Sequence, residues 1–399
     1  MKIDQRLGLF LEKAWRPLLD WLIVILAVAG LLLYHLFTLL PYPSTAESLS
    51  KLAASNFHTI EANPLFLPYK LVQYLFIVSG HDSLVYMRLV SVIFAAGAVA
   101  LMYYVLKQWH TSRIALMGMF LFASSSWFLV YARTASPTIM YVSLIAVLAY
   151  GAWARKTKRA AMALLLGAII AASLMYIPGL IWFVIGAVIW QRQQISIYAK
   201  KAAKTLPLAV TLFVVLLVPL VIALAQHPEL IKQLFGLPTT ITSHLPLDFV
   251  KNIVHSANRL LLHGPTDASG GVVGIALLDA FIIMMGLLGV YAYIFRRKLD
   301  RAKMLGGMLV IGTILACLGG PVNLLVIMPI IYIIAAAGIA FLLQQWLTVF
   351  PRNPLARSIG VVLIVLLVAV TSAYHIKRYF VVWPRTVETR QVFKPSNKL

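Results

Sequence analysis

Apolar runs of about bilayer-crossing length recur along most of the chain, separated by short polar segments. Crossing takes about 20 mostly apolar residues, because in lipid only a helix satisfies its own backbone hydrogen bonds. The first run, Trp21 to Leu40, is stopped by Pro41 and Pro43 and is too long for a signal-peptide core, so it reads as an uncleaved anchor. Further runs fall near 87–106, 114–132, 137–154, 160–177, 179–190, 205–225, 273–295, 304–320, 323–346 and 358–376. The pattern predicts an all-α polytopic membrane protein with about eleven transmembrane helices. Pro178-Gly179 fits either a tight turn between two short helices or a kink in one.

Three stretches have a different pattern. In residues 1–19, Ile3, Leu7, Phe10, Leu11, Ala14 and Leu18 recur at helical spacing with basic residues opposite, which predicts a helix lying in the inner headgroup plane. The segments 41–85 and 226–272 are too long for connectors, and long loops with structure of their own tend to carry function. The first holds a polar helix, Ser44 to Ser55, then an amphipathic stretch from Pro64 to Ile77 that is too short and too rich in Pro to span. In the second, Phe249, Ile253, Ala257, Leu260 and Leu261 form one face of another interfacial helix, ended by His263-Gly-Pro-Thr-Asp267. Residues 1–380 read as a single transmembrane domain and 381–399 as a short basic tail.

Composition narrows the class further. With 61% AVILMFWYC and 12% DEKR, the 399-residue chain carries too much apolar surface for a soluble enzyme. Its one cysteine, Cys317, rules out a disulfide framework. The 34 Lys+Arg against 12 Asp+Glu give +22, which alone would suggest nucleic acid. The basic residues are spread over many short loops on one side of the spans, however, which is an orientation signal rather than a binding stripe. They place the N-terminus in the cytoplasm and both long loops outside, leaving only the basic tail against the pattern. The chain has no Asn-x-Ser/Thr sequon, which fits a bacterial plasma membrane.

The acids are few enough to place individually. Seven lie in outer segments, four on the inner side, and Asp279 falls inside the apolar run that begins near Val273. An ionisable group within a span is a functional candidate, with a hydrogen-bonded packing role as the alternative. His35 and His375 lie near the outer ends of their runs and read as packing residues. His58 and Glu61 are three apart and share a helix face, a weak metal-site pattern. The middles of the spans are almost free of charge, unlike secondary transporters, whose sites lie near the midplane. Chemistry is expected at the outer membrane–water boundary.

This layout resembles the GT-C class of membrane glycosyltransferases, in particular the dolichyl-phosphate-mannose protein mannosyltransferases and the bacterial lipid A aminoarabinose transferase. The resemblance is carried by Ser44-Thr-Ala-Glu47 in the first long loop, Asn63-Pro-Leu-Phe66 heading the interfacial stretch, and Met87-Arg-Leu-Val90 opening the next span. Ala132-Arg-Thr-Ala-Ser-Pro-Thr138, Leu277-Leu-Asp279 and Pro321 to Pro329 extend it. It implies a polyprenyl-phosphate-linked sugar as donor and an envelope glycan, lipid or protein as acceptor. Glu47 would act as base and Asp279 as a second acid, with Arg88, Arg133 and Arg259 as phosphate contacts and His58 and Glu61 near the substrate. It leaves room for a divalent cation and names no other cofactor. The chain departs from the family where Ala46 replaces the first acid of a pair, Thr138 replaces a later Asp and Asn323 replaces an Arg. Those departures make a non-catalytic binder of lipid-linked sugar the alternative, with a lipid-sugar transporter third.

Overall fold

The computed structural model describes residues 18–238, 245–296 and 299–394. The expected inner-surface helix at 1–19 falls almost wholly outside the described residues. Those described form helices and connections, with no strand.

The first helix, α1 (Leu18–Leu33), ends in a π turn. Residues 34–40 then run as turns, with His35 at φ 52°, so the apolar run Trp21 to Leu40 is helical for only part of its length. The first long loop folds into α2 (Thr45–Ala53), α3 (Phe57–Ala62) and α4 (Leu67–Val78). The long α5 (Leu84–Trp109) returns to the other end of the bundle. It leads into α6 (Ser112–Ser124) and α7 (Ser126–Arg133), which bend by 62° at a run of three serines. A 3-10 turn, Pro137–Ser143, leads into α8 (Leu144–Ala154).

The chain continues through α9 (Ala160–Met175), α10 (Leu180–Trp190), α11 (Arg192–Lys201) and α12 (Leu206–Gln226). The second long loop carries α13 (Glu229–Leu234) and α14 (Leu245–Asn258). After it come α15 (Ala280–Phe295), α16 (Asp300–Cys317), α17 (Met328–Val349), α18 (Pro354–Lys377) and the short α19 (Val387–Val392).

Among the described residues, five helical stretches are long and apolar enough to cross a membrane, or six if the bent α6–α7 pair is one span. This is fewer than eleven. Helices α1, α9, α10 and α15 are apolar but only 10–17 residues long, and α16 carries Asp300, Arg301 and Lys303. Glycine and capping residues shorten them. At Pro178-Gly179 the structure has the tight turn: Gly179 takes φ 76°, donates to the Leu234 carbonyl at 2.8 Å, and separates α9 from α10. A Cβ there would lie 2.6 Å from Val322 Cγ2, so both the backbone angle and the close approach require glycine.

The core is built around α17, of whose most apolar stretch 78% is buried, against 17% for α12. Helix α15 lies flat on α17. A Cβ on Gly289 or Gly338 would overlap the carbonyl of Ile334 or Met285, so these glycines bring the two backbones together as small residues do between membrane helices. Phe122 packs edge to face with Trp127 and Tyr332, whose own rings meet at a tilt. On α12 and α18, Val214, Val218, Val221, Leu363, Leu366 and Val370 face outward, an apolar surface suited to lipid. The C-terminal segment is docked as far as Phe393: Trp383 is buried, stacks on Tyr379 and donates to the Ala268 carbonyl of the second loop.

Candidate functional site

Local sequence explains where Glu47 sits. Ser44 and Glu47 form a capping box, in which the hydroxyl accepts from the Glu47 amide and the carboxylate accepts from the Ser44 amide at 2.9 Å. The carboxylate also takes Arg88 Nε at 2.8 Å and Nη2 at 3.1 Å, and the Ala135 amide at 2.9 Å. Each oxygen thus holds two donors, and both side chains of the pair are at most 3% exposed. A buried ion pair is tolerated when its remaining lone pairs are filled in this way. The result fixes the first long loop to α5 and to the turn after α7.

Three buried arginines repeat one device. Arg88 donates to the carbonyls of Leu40 and Tyr42, Arg133 to those of Leu31 and Tyr34, and Arg378 to those of Ile275 and Ala276. The guanidinium of Arg133 also lies over the rings of Tyr379 and Phe380, at 5.1 and 4.6 Å. A planar fork suits two adjacent carbonyls where a chain leaves a regular element and its acceptors lose their helical partners.

Asp279 differs from its expected position. It is not inside a span. It is the N-cap of α15, accepting from the Phe281 and Ile282 amides at 2.8 and 3.1 Å. The preceding residues turn, with Gly274 at φ 77°, so the apolar run from 273 becomes helical only at Ala280. The other Asp279 oxygen pairs with His375 Nε2 at 2.8 Å. On the far side, His375 Nδ1 faces the Ser126 hydroxyl at 3.2 Å and its amide at 3.4 Å. Because the amide can only donate, Nδ1 is the acceptor and Nε2–H donates to Asp279. His375 therefore closes the break between α6 and α7 and joins it to α15 and α18.

A cavity of about 380 Å³ opens between α7, α14 and the 3-10 turn before α17. Its polar lining is Tyr131, Asn252, His255, Ser256, Arg259 and Asn323. Asn252 Nδ2 donates to the Cys317 carbonyl at 3.0 Å, which fixes α14 against the end of α16. Arg259 Nη2 donates to the Thr266 hydroxyl at 2.7 Å, while its buried Nε has no partner among the described residues. Among the residues lining this cavity there is no carboxylate.

The structure thus separates the residues singled out from sequence. Glu47 and Arg88 are joined in one closed pair, and Arg133 is buried beside them. Asp279 is tied to His375, and Arg259 alone lines the cavity. His58 and Glu61 are exposed on α3, with Glu61 at the rim of an apolar cleft beside Pro219. Among the described residues no three His, Cys, Asp or Glu side chains are grouped to hold a metal ion.

His255 and Asn252 were not singled out from the sequence. With Ser256 and Arg259 they recur at i, i+3, i+4 and i+7, a helical stripe flanking the apolar face of Phe249, Ile253 and Ala257.

No protein-family model matches the chain, and neither does any curated protein sequence. The fold is that of the GT-C class of membrane proteins. The chain is similar over 97% of its length, with TM-score 0.57 and 14% identity, to the archaeal oligosaccharyltransferase AglB from Archaeoglobus fulgidus, solved with an inhibitory peptide and a dolichol-phosphate. It spans 57% of that chain's length.

Proposed function

We propose that the protein is a GT-C-type membrane glycosyltransferase that takes a sugar from a polyprenyl-phosphate donor and passes it to an envelope acceptor at the outer face of a bacterial plasma membrane. In this reading eleven helices span, the N-terminus is cytoplasmic, and residues 1–380 form one unit followed by the short basic segment 381–399. The observation that carries the proposal is the cavity beneath the second long loop, where the partly exposed Arg259 keeps a buried Nε with no partner among the described residues. A guanidinium there suits the departing lipid phosphate. The acceptor hydroxyl attacks the anomeric carbon as the bond from that carbon to the phosphate oxygen breaks. His255 is positioned in the cavity lining to receive the hydroxyl proton. Glu47 and Asp279 serve as positioning residues, holding the first loop and α15 through Arg88 and His375.

The test is in-membrane transfer from a purified polyprenyl-phosphate sugar. We expect His255→Gln to lower turnover about 100-fold and leave donor binding in place. Turnover unchanged in His255→Gln removes it as the base.

A second reading, a non-catalytic binder of lipid-linked sugar, is favoured by one observation: both acids expected to do chemistry are committed to partners. Donor binding by the wild type without any turnover would establish it over the first.

A further inference from the structure

A second polar cleft, of about 480 Å³, lies at the opposite end of the bundle. It is formed by the turn between α5 and α6, the C-terminal ends of α15 and α17, and the start of α16. His110, Tyr293, Arg296, Arg301 and Gln344 supply its polar wall, and Ala340, Phe341 and Leu347 form part of its apolar wall. Among the described residues no carboxylate lines it, and both guanidinium hydrogen bonds are to neutral groups. Arg296 Nη2 donates to Gln344 Oε1 at 3.3 Å, and Arg301 Nη1 donates to the Trp109 carbonyl at 3.1 Å. Neither arginine has an acidic partner among the described residues.

Three buried polar atoms here have no hydrogen-bond partner among the described residues: Arg301 Nε, His110 Nε2 and Tyr293 Oη. A buried polar atom without a partner is costly, and three in one cleft call for a ligand that supplies acceptors. Burial and the charge of Arg301 push His110 down to about 4, so the imidazole is neutral and one ring nitrogen can donate without adding charge. Two arginines and two uncharged donors around a space open to an apolar wall match one chemistry. It is a phosphate group, with a hydrocarbon chain lying alongside it.

We propose that this cleft binds a phosphate group, supplied by an anionic phospholipid headgroup whose acyl chain lies along Ala340 and Leu347. The site stands apart from the cavity under the second loop and does not depend on the transferase reading. Its phosphate oxygens accept from Arg296, Arg301, His110 and Tyr293, and no bond is made or broken. Basic pockets between membrane helices are suited to such headgroups.

The test uses the full chain in nanodiscs of zwitterionic phosphatidylcholine doped with phosphatidylglycerol, with the lipids retained after extraction counted by native mass spectrometry. A parallel arm measures the shift in thermal unfolding on adding millimolar inorganic phosphate at matched ionic strength. The variants are Arg296→Gln/Arg301→Gln, which removes the charges, and Ala340→Trp, which fills the cleft and leaves the charges in place. We expect wild type to retain phosphatidylglycerol over phosphatidylcholine and both variants to lose that preference about tenfold. A phosphate-induced shift that both variants abolish, without lipid retention, supports the phosphate site and makes free phosphate its source. Loss in the arginine variant but not in Ala340→Trp indicates general surface charge and overturns the proposal, as does equal retention and equal shift in all three proteins. If the arginine variant does not fold, Ala340→Trp decides alone.

Discussion

Arg88 grips Glu47 through two nitrogens, Nε at 2.8 Å and Nη2 at 3.1 Å, while the Ser44 and Ala135 amides take the remaining acceptor positions of the carboxylate. The pair is buried, so removing one partner strands the other charge. Such losses cost about 3–5 kcal/mol. Arg88→Met is expected to lower thermal unfolding in detergent sharply, and Glu47→Leu/Arg88→Met to recover much of the loss. A double variant no more stable than Arg88→Met would show that the pair does not act as a unit.

The Asp279–His375 contact leads to a different readout. Asp279→Ala removes the cap of α15, worth about 0.5–2 kcal/mol, and leaves His375 without its acceptor. Hydrogen exchange at the Phe281 and Ile282 amides is expected to quicken, since both donate to Asp279. His375→Ala is expected to speed exchange at Ser126 instead. Unchanged exchange at all three amides would remove the network from the account.

Lys70, on α4 in the first long loop, is 7% exposed and its ammonium donates to the Asn63 carbonyl at 2.5 Å. Burial pushes it down to about 8. The unfolded chain binds the proton more tightly, so folding releases it between about pH 8 and the ordinary lysine value near 10.5. Stability tied to this group therefore rises with pH across that window and is flat below it. Wild type is expected to gain relative to Lys70→Met by on the order of 2–3 kcal/mol as the pH is raised. Denaturant titrations at pH 7.5 and 10 compare them, and parallel pH curves would remove Lys70 as the cause.

Gly289 and Gly338 face backbone carbonyls across the α15–α17 contact. Ala at either position must push the helices apart, at a cost of about 1–3 kcal/mol. Ala at Gly286, where nothing lies within 4 Å of the added carbon, is expected to be neutral or stabilising. Equal thermal unfolding for all three variants would contradict the close packing.

Hydropathy made the helical membrane class and most of the long helices readable, because burial in lipid leaves a run of about 20 apolar residues as its record. It overstated helix lengths where a single residue interrupts the backbone, as at His35 and Asp279. Scarcity of acids pointed to Glu47 and Asp279, but scarcity says nothing of partners. Arg88 lies 41 positions from Glu47, and His375 lies 96 from Asp279, so only the fold pairs them. The cavity residues could have been found in sequence. Asn252, His255, Ser256 and Arg259 form a polar stripe at helical spacing beside the apolar face of the same helix.

The central claim is that the Arg259 cavity receives a lipid-linked phosphate. The direct measurement is the affinity of polyprenyl phosphate for the protein in nanodiscs, compared between wild type, Arg259→Gln and Arg133→Gln. The account predicts binding by wild type, a loss of about tenfold in Arg259→Gln, equivalent to about 1.4 kcal/mol, and near-wild-type affinity for whatever fraction of Arg133→Gln folds. Equal affinity in wild type and Arg259→Gln would contradict it.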